Sequence, residues 1–70
     1  MLLIVEIFRN ETGQPSQVLY RFSHSGTPLE VIRANMKAVV DSPDWPLEAN
    51  GFRIISEDDT ELYHFSKDVN

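Results

Sequence analysis

The chain has no cysteine, only three glycines and a single tryptophan among its 70 residues. Without cysteine, disulfide frameworks, thiol nucleophiles and thiolate metal sites are excluded together. The glycines stand apart at positions 13, 26 and 51, so there is no phosphate-cradling loop and no dinucleotide fingerprint. Basic residues are also scarce. Six Lys and Arg against eleven Asp and Glu leave a net charge of −5, the wrong sign for gripping nucleic-acid phosphates. Long apolar runs are missing as well. Met1-Leu2-Leu3-Ile4-Val5 is halted by Glu6. It falls short of the roughly 7–15 apolar residues of a secretory core and the roughly 20 of a membrane helix. The expectation is a soluble, cytoplasmic chain with no membrane or direct nucleic-acid partner.

What is present suits one small domain spanning residues 1–70. A hydrophobic fraction of 41% and a charged fraction of 24% are near the globular norm. A chain of this length buries only about 60% of the surface it exposes when unfolded. The charge is unevenly placed. Residues 1–40 carry Glu6, Glu11 and Glu30 against Arg9, Arg21, Arg33 and Lys37, a net of +1. Residues 41–61 carry Asp41, Asp44, Glu48, Glu57, Asp58, Asp59 and Glu61 against Arg53 alone, a net of −6.

Period-two alternation predicts a strand over residues 2–9 and a second over 17–23, with polar turn formers between them. Centring the turn on Thr12-Gly13 pairs Ile7 with Val18, Val5 with Tyr20 and Leu3 with Phe22. Pro15 has no amide hydrogen, which puts the second strand at a sheet edge. Thr27-Pro28-Leu29-Glu30 reads as a helix start, with Thr27 as cap and Glu30 returning a hydrogen bond to it. Leu29, Ile32, Met36, Val39 and Val40 recur at helical spacing, and Ser42-Pro43 is a stop. The helix is expected at 28–41. Residues 42–51 form an irregular loop in which Asn50-Gly51 reads as a turn. Two further strands, 52–56 and 61–65, flank a turn at Asp58-Asp59, pairing Phe52 with Phe65 and Ile54 with Tyr63. Residues 66–70 are expected to fray. The outcome is an α+β, two-layer ββαββ domain, its four-stranded antiparallel sheet in the order 2-1-3-4 with one helix on one face.

Catalytic patterns are thin. Ser23 or Ser56, His24 or His64, and Asp58 or Asp59 assemble a triad only on paper, with no nucleophile elbow or oxyanion loop. Glu57, Asp58, Asp59 and Glu61 offer oxygen ligands without a calcium-loop register, and read as a solvated turn. No catalytic residue, metal site or cofactor is expected. Trp45 stands in the irregular loop, either as a lid over the open end of the core or as an exposed binding anchor. Tyr20, Phe22, Tyr63 and Phe65 fall on the helix side and read as core.

The opposite sheet face would carry Leu2, Ile4, Glu6, Phe8, Leu19, Arg21, Arg53, Ile55, Leu62 and His64. One helix cannot cover both faces, so an apolar patch on the order of 400–600 Å² is expected there. The functional expectation is a non-catalytic interaction protein. It would form a homodimer or dock on another chain through Leu2, Ile4, Phe8, Leu19, Arg21, Arg53, Ile55, Leu62 and His64, with edge-strand pairing as a second geometry. The alternative is an acidic inhibitor or nucleic-acid mimic presenting Asp41, Asp44, Glu48, Glu57, Asp58, Asp59 and Glu61 to a basic partner.

Overall fold

Leu3, Val5 and Ile7 alternate with Ile4, Glu6 and Phe8 along the first strand, and all six are buried. A strand buried on both faces belongs in the interior of a sheet, and this one has a partner on each side. The computed structural model describes residues 2–11 and 13–67. Its elements are β1 (Leu2–Arg9), β2 (Gln17–Ser25), α1 (Leu29–Val40), β3 (Gly51–Ser56) and β4 (Glu61–Ser66). The strands form one antiparallel sheet in the order β2-β1-β3-β4. The α+β two-layer ββαββ architecture is therefore as the sequence implies, and Pro15 precedes a strand that does lie at an edge. No helix among the described residues is long and apolar enough to cross a membrane.

The core lies between α1 and the sheet. Ile32, Met36 and Val40 descend from the helix onto Leu3, Val5, Ile7, Phe52 and Ile54. Phe52, Val5 and Ile54 have no measurable exposure. In β3 and β4 the expected pairs Phe52–Phe65 and Ile54–Tyr63 are present. A bulge then leaves Leu62 between the Ile54–Tyr63 and Ile55–Glu61 pairs.

The first hairpin departs from its expected register. Ile7 faces Tyr20, Val5 faces Phe22 and Leu3 faces His24, while Val18 faces Phe8. The irregularity falls between Ile7 and Phe8 and leaves Leu19 as the extra residue. An extra residue reverses the alternation on one side of it. Val18 therefore joins the helix-free face, and Leu19 packs against the core cluster. Thr12, one centre of the expected turn, lies outside the described residues. Gly13 has a φ of 80°, a conformation that costs glycine no Cβ clash.

The helix start also differs. Its N-cap is Pro28, extended at ψ 151°, with no side-chain cap hydrogen bond. The Pro28 carbonyl accepts from the amides of Val31 and Ile32. Thr27 is one residue too early to cap, and Glu30 is too close to the true cap to complete a reciprocal box. Thr27→Ala should accordingly leave the urea midpoint unchanged. A fall equivalent to the ~1 kcal/mol of a lost cap would show that the threonine caps after all. At the other end, Ser42 Oγ donates to the Val39 carbonyl and accepts from the Asp44 amide, turning the chain away before Pro43.

Asn50-Gly51 is not a turn. The Asn50 amide nitrogen donates to the Phe8 carbonyl. Its side chain accepts from Asn10 N at 2.9 Å and donates to Asn10 O at 2.6 Å. One carboxamide thus extends the β1–β3 ladder past its last backbone pair, and Gly51 begins β3. The tail is held further than expected. Ser66 is in β4, and Lys67 N donates to Asn50 O at 2.6 Å. Residues 68–70 lie outside the described residues.

Candidate functional site

Three surfaces deserve comparison: the helix-free sheet face, the acidic turn, and the helix side of β2. The helix-free face is much better covered than alternation alone implies. Ile4, Phe8 and Ile55 are 8%, 4% and 1% exposed in the single chain. In the middle of the stripe sits Glu6, a carboxylate only 3% exposed. Arg53 Nε lies 2.7 Å from one of its oxygens and Arg21 Nη1 3.2 Å from the other. These arginines sit directly across from Glu6 on β3 and β2. Both arginines remain partly exposed, at 56% for Arg21 and 40% for Arg53.

Phe8 is closed off in another way. Its ring stacks tilted against His64 at 5.3 Å and packs onto Gly51. The bare patch of the sequence reading is therefore replaced by an ion-paired surface. Leu2 is half-buried, Leu62 is 39% exposed, and Leu19 has left this face. Charged substitutions at Ile4 or Ile55 would test folding before they tested association.

The acidic turn is built from its own hydrogen bonds. The Ser56 hydroxyl donates to Asp58, and the Thr60 amide donates to Ser56 Oγ and Asp58 Oδ1. The Ser56 hydroxyl first, then Thr60, hold the Asp58 carboxyl below the usual carboxylate range. The stability this gives is present above the carboxyl's unfolded pKa and is lost as pH falls through the lower folded value. Asp59 occupies the left-handed region at φ 67°, which Asp tolerates better than most residues. Among the described residues no three His, Asp or Glu side chains converge to hold a metal ion.

The histidines are far apart in the fold. His24 is on β2 and His64 on β4, at opposite edges of the sheet. His24 faces Leu3 on the helix side, whereas His64 faces Arg53 on the other. His64 Nδ1 lies 3.2 Å from Glu61 Oε1. Among the described residues no serine, histidine and aspartate come together as a triad.

The third surface is the helix side of β2. Tyr20 and Phe22 share the helix side, as expected, yet they are 49% and 46% exposed. The two rings are stacked, 3° from parallel, with centroids 6.5 Å apart. They are not core because α1 does not reach them. Arg33 lies over the Tyr63 ring at 5.6 Å and Lys37 over the Phe65 ring at 5.3 Å, which places the helix toward β3 and β4. One helix, about 10–12 Å across, covers roughly two strands spaced about 4.8 Å apart. The β2 side of the sheet is left open.

The resulting groove has a volume of about 500 Å³ and is lined by Ile7, Tyr20, Phe22, Met36, Val39 and Pro46, with Leu47, Asp44 and Glu48 on its loop side. Leu47 is almost wholly exposed, at 99%. The loop that carries it is anchored by Trp45, whose Nε1 donates to the Ala49 carbonyl at 3.1 Å. Trp45 is buried in the core cluster and is thus a lid, with Lys67 Nζ 5.7 Å from its ring centre. Alternation located Tyr20 and Phe22 on the correct face. The signal for their exposure was Arg33 and Lys37, two cations on a single flank of the helix.

No family model, curated protein or solved structure matches this chain.

Proposed function

We propose that this chain is a non-catalytic protein-interaction module that docks another protein chain in the groove between α1 and β2. The observation that carries this reading is the exposed, stacked Tyr20–Phe22 pair beside Leu47. Aromatic side chains in a partly desolvated pocket are the usual anchors of protein interfaces. β2 also forms an edge of the sheet, so its outward backbone groups have no strand partner among the described residues. The acidic residues Asp44 and Glu48 border the groove and disfavour stacking of nucleic-acid bases there, which needs a basic setting. The covered state of Ile4, Phe8 and Ile55 moves the preferred interface from the helix-free face to this one.

A photo-cross-linking residue in place of Phe22 tests the assignment in the cells that make the protein. Discrete larger adducts are expected from position 22. They should be absent when the same residue replaces Ala34, which lies on the exposed side of α1. An adduct of twice the 8.0 kDa chain mass identifies a second copy as the occupant. Equal labelling from both positions, or none from position 22, would contradict the reading.

A further inference from the structure

We infer that the occupant of the α1–β2 groove is a cationic amphipathic helix contributed by another protein. The inference rests on the docking reading above and specifies its ligand. Three features of the groove select such a helix.

The first is width. Among the described residues the sheet has four strands and a single helix, which lies toward β3 and β4, where Arg33 meets Tyr63 and Lys37 meets Phe65. Helices pack on their neighbours at about 8–10 Å between axes, so the open half of this layer admits one more helix.

The second is the helix flank. At 3.6 residues per turn, Arg33 and Lys37 define the side of α1 above β4. The opposite flank, facing the open half, then carries Asn35 and Val39, and Met36 and Val39 line the groove. It has no charged residue. Short, uncharged side chains let a second helix approach closely. With Tyr20 and Phe22 as floor, the open half presents an apolar wall and an apolar base, which is the surface an amphipathic helix recognises through its i, i+3, i+4 and i+7 positions.

The third is charge. The charged side chains lining the groove are Asp44 and Glu48, both acidic. Asp41, also exposed, lies between α1 and that loop. These carboxylates suit Lys or Arg at one end of the incoming helix and oppose an acidic one. A second copy of this chain carries a net charge of −5, so it is the less complementary occupant.

The test uses the full chain and two synthetic four-turn peptides with leucine on one face. Their polar faces are lysine in one and glutamate in the other. Fluorescence anisotropy of labelled peptide should show saturable binding of the Leu/Lys peptide and none of the Leu/Glu peptide. Phe22→Ser should weaken the former at least about tenfold. Leu47→Ser, at a site too exposed to threaten folding, should weaken it in the same direction. Asp44→Asn with Glu48→Gln should weaken it about three- to tenfold, whereas Asp58→Asn with Asp59→Asn should not.

Equal binding of the two peptides would overturn the inference, as would failure of the Leu/Lys peptide to bind. So would binding that responds to the Asp58 and Asp59 changes but not to Phe22→Ser, since that pattern is attraction to charge alone. Cross-linking from position 22 together with any of these failures leaves the docking site standing and rejects only the helical cationic occupant. Absence of that cross-linking rejects the site itself.

Discussion

Trp45→Ala is expected to lower stability by about 3–5 kcal/mol, enough to leave a domain this small largely unfolded. Residues 41–50 contain no helix or strand, so ladder hydrogen bonds do not fix their path. The indole does so instead. It is 8% exposed, packs within the core cluster, and donates to the Ala49 carbonyl at 3.1 Å. Truncation opens a cavity at the end of the core and leaves a buried acceptor without its partner, two separate costs. Trp45→Phe restores most of the volume but not the donor, and should fall between alanine and the unmodified chain. Urea denaturation followed by far-ultraviolet circular dichroism measures the series. A midpoint unchanged by Trp45→Ala would mean that the indole stands outside the core as a free binding anchor.

Gly51→Ala is expected to cost about 3 kcal/mol, the upper part of the range for overpacking. Gly51 is not required by an unusual φ. It is required by space, because a Cβ there would lie 2.5 Å from the Phe8 ring and 2.5 Å from the Phe65 carbonyl oxygen. The ring has little freedom to retreat, with Val18 across from it on β2 and His64 against it at 5.3 Å. The carbonyl belongs to backbone paired in β4 and cannot move without disturbing the β3–β4 ladder. Gly51→Ala combined with Phe8→Leu should recover part of the loss by relieving the ring contact, while the carbonyl contact remains. Thermal unfolding of the single and double variants checks both statements, and an alanine variant as stable as the unmodified chain would contradict the packing described for Phe8.

These two residues show where the sequence was informative and where it was not. Trp45 between two prolines was recognisable as either lid or anchor, and only the partner of its indole nitrogen decides between them. Gly51 after Asn50 has the composition of a turn. Its real constraint is Phe8, a residue far away in the chain, which local chemistry does not reveal. The strand order was legible because β1 is apolar on both faces and the connections are short. The β2 register was not, since the bulge at Leu19 inserts a residue without any glycine to mark it. Thr27 resembles a cap by composition, yet Pro28 takes that position because its extended ψ precedes the first helical residue.

The candidate site was legible only in part. Alternation assigns Tyr20 and Phe22 to the helix side, but it says nothing of where a single helix lies across four strands. The contacts of Arg33 with Tyr63 and of Lys37 with Phe65 mark α1 as lying off centre, and the groove is the half of the sheet it leaves open. On the other face, alternation identifies Ile4, Phe8 and Ile55 without showing that Glu6 gathers two arginines around them. Coverage of a sheet face by long charged side chains is a property of cross-strand neighbours, and it requires the register to be known.

The central claim is that the α1–β2 groove, and not the helix-free face, receives a partner. Amide chemical-shift mapping of the labelled chain during titration with the Leu/Lys peptide tests it most directly. Saturable shifts are expected at Tyr20, Phe22, Met36, Val39 and Leu47, with Ile4, Arg53, Ile55 and His64 unmoved. Shifts concentrated on Arg21, Arg53, Leu62 and His64, with Tyr20 and Phe22 silent, would contradict it.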